Sequence, residues 1–208
     1  MHSSIKIILI SIILLIAGGR IAMAIEEAKY TVVKKDGVFE LREYEDYILA
    51  ETIISGDMEN ASRQAFRLLF NYIAGDNRSQ TKVAMTAPVS QEASSEKISM
   101  TTPVSQERMG DSWAVSFMMP ASFTEATIPT PNDPRVQLRS VPGRMMAVIR
   151  YSGTWSSDRY LQHKEDLENW IQSEGLKIEG EAIWARFNGP YTPWFMRRNE
   201  VQIPVSGF

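Results

Sequence analysis

Twice along this chain the same order of patterns occurs: alternating apolar and polar residues, a glycine, a helical stretch with one apolar stripe, then further alternation. The first unit opens with "YTVVKKDGVFELREYEDYILAETIIS", where Lys35-Asp36-Gly37 marks a turn. It predicts a hairpin of Tyr30–Lys34 and Val38–Tyr44, then a third strand, Tyr47–Ser55. Asp57 is placed to cap a helix that Gly75 ends, with Phe66, Leu69, Phe70 and Ile73 at helical spacing. In the second unit Val136–Val141 and Arg144–Ser152 read as strands, Ser157 or Asp158 as the helix cap and Gly175 as its stop. Tyr160, Leu167, Trp170 and Ile171 share one face of that helix, and strands Glu181–Phe187 and Glu200–Val205 flank "NGPYTPWFMRRN". A glycine precedes each helix, Gly56 in one unit and Gly153 in the other. Two such units bury their helices on one shared, curved sheet. The expected fold is α+β: a distorted antiparallel β-barrel from a duplicated β-α-β-β unit with two main helices.

A shorter repeat lies inside the first unit. "KVAMTAPVSQE" (Lys82–Glu92) returns as "KISMTTPVSQE" (Lys97–Glu107), with eight of eleven positions identical. Each copy reads as a short strand ended by a proline, Pro88 or Pro103, because proline removes a ladder donor. Val83/Ile98 and Met85/Met100 are then expected on one face, Ala84/Ser99 and Thr86/Thr101 on the other. The unit either extends the sheet or rims a ligand site. Beyond it "SWAVSFMMP" is a further strand and "PTPNDP" an ordered connection.

The N-terminus carries Lys6, an apolar run Ile7–Ala17, and Ala22-Met23-Ala24, the order of a signal peptide with an A-x-A cleavage site. Residues 1–24 are expected to be removed on export, leaving residues 25–208 as one domain in the periplasm or secreted. An uncleaved N-terminal membrane anchor is the alternative. Of 22 Lys and Arg, Lys6 and Arg20 leave with the segment, so twenty basic side chains face 25 acidic ones. That acidic balance, with no basic run, argues against a nucleic-acid partner. The absence of cysteine excludes disulfides, zinc–thiolate sites and a thiol nucleophile. With His163 the one remaining histidine, no Ser-His-Asp set is available, and no H-E-x-x-H, phosphate loop or dinucleotide fingerprint occurs.

"KVAMTAPV", "FMMPASFTEATIPTPNDPRVQLRSVPGRMMAVIRYSGTWS" and "YTPWFMRRNEVQIPV" together resemble the SOUL heme-binding protein family, in order and spacing, over Tyr30 to Val205. The resemblance implies a duplicated strand–helix–strand–strand barrel, similar to bacterial effector-binding domains. It also implies non-covalent binding of heme or a related tetrapyrrole along the first helix, at Arg63, Phe66, Phe70 and Asn71, and near Thr192. Where the best-studied branch has cations, this chain carries Asn71 and, nearby in "GPYTP", Thr192.

At 100° per residue, Phe66, Leu69 and Ile73 are expected to face the core, with Arg63, Arg67, Phe70 and Ala74 as a neighbouring shoulder. Such a shoulder suits a flat, dianionic ligand: aromatic surface for the ring, guanidinium forks for carboxylates. The same pattern also suits plain core packing with solvated arginines. His163 is a candidate axial ligand or a surface residue, and Met85 and Met100 offer thioethers or fill space. Arg197–Glu200 reads as a buried polar tie beneath the last strand or a pocket cap, and Glu40, Glu43 and Glu45 as a solvated face. Trp155 and Trp194 line an opening between the halves or plug barrel ends. Three functions follow: a non-enzymatic exported heme carrier; a hydrolase or other apolar-ligand binder using a carboxylate such as Glu51; or an interaction module built on the duplicated segment.

Overall fold

The N-terminal alternation becomes three strands, β1 (Tyr30–Asp36), β2 (Phe39–Tyr44) and β3 (Tyr47–Ser55). They belong to a computed structural model that describes residues 25–80 and 95–207. Gly37, at φ 56°, closes the β1–β2 hairpin, a backbone conformation that glycine adopts without a Cβ penalty. Helix α1 (Met58–Ala74) starts at Asp57, whose carboxylate accepts the Glu59 and Asn60 N–H groups at 3.1 and 2.9 Å. It stops at Gly75, φ 121°. Helix α2 (Ser157–Ser173) is capped one residue earlier than the sequence suggests. Ser156 is extended and its hydroxyl accepts the Arg159 N–H, so Ser157 is already helical.

The remaining strands are β4 (Asn77–Arg78), β5 (Val104–Met109), β6 (Ser112–Met118), β7 (Thr130–Pro131), β8 (Gln137–Val141), β9 (Arg144–Tyr151), β10 (Lys177–Ile178), β11 (Ile183–Arg186) and β12 (Asn199–Ser206). One antiparallel sheet runs β1-β2-β9-β12-β11-β5-β6-β3-β8, with β10 added to β12; β4 and β7 pair separately, which orders the proline-rich connection. Strands alternate faces with period two, so each strand divides its residues between a helix-covered face and a curled inner face. On the covered face α1 buries Ala61, Ala65, Leu69, Tyr72 and Ile73 against Ala50, Val115 and Phe117. There too α2 buries Tyr160, Leu167, Trp170 and Ile171 against Ala147, Ile149, Trp184, Val201 and Ile203. Tyr44, Met146, Val148 and Ile183 form a smaller cluster on the other side.

The inner face also carries a buried charge network. Arg42 and Glu200, 1% and 0% exposed, pair through two bonds of 2.9 and 3.1 Å. Glu200 also accepts from Arg198 at 2.9 Å and Gln202 at 2.8 Å, so Arg197–Glu200 contains the structural tie expected of it. Glu40, read as solvated, is half-buried and bonded to Lys35 and Arg42, both at 2.8 Å; Glu43 and Glu45 are exposed. Burial opposes the Arg42 charge, but Glu200 outweighs it and holds the guanidinium well above its ordinary range.

The second copied segment overturns the proline-ended strand. Pro103 precedes the strand instead of ending it, because a residue without N–H fits just before the first ladder position. β5 then lies between β6 and β11, and the fully buried Gln106 donates to the Met58 carbonyl at 3.1 Å. Residues 95–100 form no strand. Ile98 is buried while Met100 is 44% exposed, so these two do not share a face. The first copy, with Val83, Met85 and Pro88, lies outside the described residues, as does the expected signal segment 1–24.

Asn77 holds Glu96 through side-chain bonds to its N–H at 3.0 Å and its carbonyl at 2.8 Å, so the two chain ends around residues 81–94 lie close together. Excision of Thr81–Ser95, which removes one repeat, keeps every contact named above. Because a shorter loop loses little closure entropy, the midpoint of thermal unfolding is expected to move by only a few degrees. A collapse of cooperative unfolding in calorimetry would show that the first copy is part of the core.

Candidate functional site

Helix α1 buries Tyr72 but turns neither of its two phenylalanines fully inward. Its buried row is built on Ala61 and Ala65, both 0% exposed, whose small size lets the helix lie close to the sheet. Phe66, expected in the core, is 40% exposed, and Phe70 is 44% exposed. Their rings lie nearly parallel, 13° apart with centroids 6.0 Å apart. Phe66 reaches the core through an edge-type contact with Phe117, ring centroids 5.4 Å apart. The result is an aromatic ledge about two-fifths open to solvent.

Cations flank this ledge. Arg63 and Arg67 are exposed, and Arg63 is steadied by the Asn60 side-chain oxygen one turn back. Asn71 is exposed one residue beyond Phe70 and brings no charge. A third cation, Arg186 on β11, escaped the sequence reading because nothing in "EAIWARFNG" marks it as different from a solvated strand arginine. It donates to the Ser62 hydroxyl on α1, one turn before Phe66, and packs over the rings of Trp184 at 5.1 Å and Trp155 at 5.4 Å. Its Nε is buried without a partner, and desolvation pulls its pKa down to about 10. A guanidinium so placed is still charged at neutral pH and has no carboxylate partner among the described residues.

Thr192 sits in the loop before β12 and contributes backbone groups. Its N–H donates to Gly189 at 3.1 Å, and its carbonyl accepts from Arg197 at 2.8 Å. Arg197 stacks on Trp155 at 4.2 Å, and the Trp155 Nε1–H donates to Asn199 at 2.9 Å. Trp155 is thus fixed between Arg186 and Arg197, linking the loop to the Ser62 end of the ledge. Tyr191, Trp194, Phe195 and Met196 remain between 59% and 98% exposed.

His163 belongs elsewhere. It is half-buried on α2, its ring centroid 3.9 Å from that of Tyr151, with Asp166 at 3.5 Å from Nδ1. Burial and Arg159 lower its pKa despite the pull of Asp166. Phe66 packs on Phe117, and the cross-strand row Phe117–Val104–Arg186–Asn199–Tyr151 separates the two places. Four strand spacings of ~4.8 Å amount to roughly 19 Å. An imidazole there does not reach a ring seated on the ledge. Glu51 is on the inner face of β3, ion-paired with Arg139 at 2.7 Å. Among the described residues no group of three or more His, Cys, Asp or Glu could hold a metal ion.

Comparison with known proteins bears on this arrangement. The Heme-binding protein 1 sequences of Xenopus tropicalis and Xenopus laevis are each 25% identical to this chain over 170 residues, 81% of this chain and 84% of the relative. The C-terminal domain of EcmrR superposes with a TM-score of 0.58 at 11% identity, over 86% of this chain and 99% of that one. A hydrolase from Listeria innocua gives 0.53 at 11% identity, over 84% and 94%. At such identities the structures establish the fold alone, the two-helix barrel-like fold that the family resemblance implies. The model of the family described as SOUL heme-binding protein matches residues 25–204, nearly the whole described domain. By that match the chain belongs to the SOUL heme-binding protein family.

Proposed function

We propose that this protein binds heme or a related tetrapyrrole non-covalently on the α1 ledge, as an exported carrier. The observation that carries the reading is the pair Phe66 and Phe70, parallel and half-open where a helix ordinarily hides phenyl rings. A porphyrin face needs such a surface, and its two propionates need cations. Arg63 and Arg67 flank the ledge, and Arg186, with its orphaned Nε, marks its Ser62 end. These residues fit the group without the cations absent at Asn71 and Thr192. Apolar burial at about 25 cal/mol per Å², less the cost of association, supports micromolar affinity. The reading as a carrier rests on the sequence of residues 1–24, and an intact mass beginning at Ile25 in exported protein is the expected result.

Hemin titration of residues 25–208, followed by Soret absorbance, is expected to saturate at one equivalent. Arg63→Ala and Arg186→Gln are each expected to weaken it about tenfold, the value of one charge-assisted carboxylate contact of ~1.5 kcal/mol. A Soret change indifferent to both arginines would remove the ledge as the site.

A further inference from the structure

The loop between β11 and β12 ends in a tip of apolar side chains that face water. Tyr191 is 98% exposed, and Trp194, Phe195 and Met196, on one short helical turn, are 59%, 61% and 65% exposed. Trp194 and Phe195 meet edge to face, centroids 5.6 Å apart. Together the four residues present on the order of 500 Å² of surface, at roughly 150–250 Å² for a whole aromatic side chain. A patch of that size ordinarily marks an interaction site.

The exposure is built into the loop. Arg197 donates to the carbonyls of Thr192 at 2.8 Å and Pro190 at 2.9 Å, and the Gly153 N–H donates to the Trp194 carbonyl at 3.0 Å. The Met196 N–H closes the turn on the Pro193 carbonyl at 2.9 Å. Two prolines with fixed φ and these bonds leave the tip little freedom to lose on burial.

Charge narrows the choice of partner. From Phe187 to Arg198 the chain carries two arginines and no carboxylate. Arg198 is answered by Glu27 and Glu200, whereas Arg197 bonds only to carbonyls and stacks on Trp155. Arg186, on Trp155 too, has no carboxylate partner among the described residues. The Glu27–Arg198 pair also holds Glu27, which follows the apolar run Ile7–Ala17 in sequence, at the base of this loop. The tip and the N-terminal end of the domain therefore lie together.

We propose that this tip docks the domain on an anionic lipid bilayer, with Trp194, Phe195 and Met196 entering the boundary between headgroups and acyl chains. Tyr191 lies beside them and Arg197 behind them, at the level of the phosphates. Tryptophan and tyrosine favour that boundary because each has an apolar body and a polar tip. A stable protein partner needs about 800 Å² on each side, more than this tip offers, whereas a bilayer accepts a narrow projection. The docking needs no tetrapyrrole and stands apart from the α1 ledge.

Cosedimentation of residues 25–208 at low salt with vesicles of phosphatidylcholine, or of phosphatidylcholine mixed with phosphatidylglycerol, tests this. Binding is expected to be about fivefold stronger on the anionic vesicles, the effect of one arginine near such a surface, and to weaken as salt rises. Trp194→Ser with Phe195→Ser should weaken it at least tenfold at an unchanged urea midpoint, since both rings are exposed. Tryptophan emission should shift to the blue on binding, and Trp194→Phe should keep the binding but lose most of that shift. No vesicle binding, equal binding to both vesicles, binding indifferent to the double substitution, or a blue shift that survives Trp194→Phe would overturn the proposal. So would dimerisation in sedimentation velocity that the double substitution abolishes, which would give the tip to a second copy of the chain.

Discussion

Glu200→Ala is expected to destabilise the domain by about 3–5 kcal/mol, the cost of removing one partner from a buried ion pair. For a domain of this size that is a fall of roughly 10 °C in Tm, at about 2–4 °C per kcal/mol. The reason lies in how many groups Glu200 serves. Its two oxygens receive Arg42 at 2.9 and 3.1 Å, Arg198 at 2.9 Å and Gln202 at 2.8 Å. Removing it leaves the 1%-exposed Arg42 charged inside the sheet, with only the peripheral Glu40 at 2.7 Å to answer it. Burial of an uncompensated charge, rather than loss of an attraction, sets the magnitude. The double change Arg42→Met with Glu200→Leu therefore should recover most of the loss in urea denaturation. If Glu200→Ala alone lost less than 1 kcal/mol, water would have to reach Arg42, and the inner cluster would be looser than described.

The second large effect concerns ligand affinity with little change in stability. Phe66→Ser with Phe70→Ser should reduce hemin affinity by about 50- to 100-fold. Covering one face of each ring removes on the order of 50 Å² from water, so the pair contributes roughly 2.5 kcal/mol. The domain itself should lose little, since both rings are about two-fifths exposed and Phe70 has no named core contact. The small cost belongs to Phe66, through its edge contact with Phe117. Parallel hemin and urea titrations separate the two quantities. A double variant that loses stability but keeps its hemin affinity would place both rings in the core and the tetrapyrrole elsewhere.

Phe66 also shows where a helical wheel misleads. Weighting the wheel by side-chain size puts Phe66 inside with Leu69 and Ile73. Packing instead chooses Ala61 and Ala65, because alanines allow the helix axis to approach the sheet, and the rotation this imposes carries Phe66 outward. The second copied segment misleads for a related reason. A proline reads as a strand end whichever side the strand lies on, and only pairing of Val104–Met109 with β6 and β11 shows that the strand follows it. Arg186 was invisible as a special residue. Its chemistry comes from the missing partner of its Nε, and partners are supplied by distant strands.

What the sequence alone determined was local. Alternation, the Asp57 and Gly75 boundaries and the stripe Tyr160, Leu167, Trp170 and Ile171 specify their elements within a few residues, since caps and periodicity act over a turn or two. Arg63 and Phe70 on an open shoulder were legible for the same reason. Tertiary structure alone decided that the β1–β2 hairpin joins β9 of the other unit rather than β3, and that β5 runs between β6 and β11. The first of these pairings joins residues a hundred or more positions apart, as Leu41 with Ala147, and β5 meets β11 across about 80 positions, as Val104 with Arg186. Hydrogen bonding between strands is the same for any partner, so which strand is chosen depends on what both sheet faces bury together.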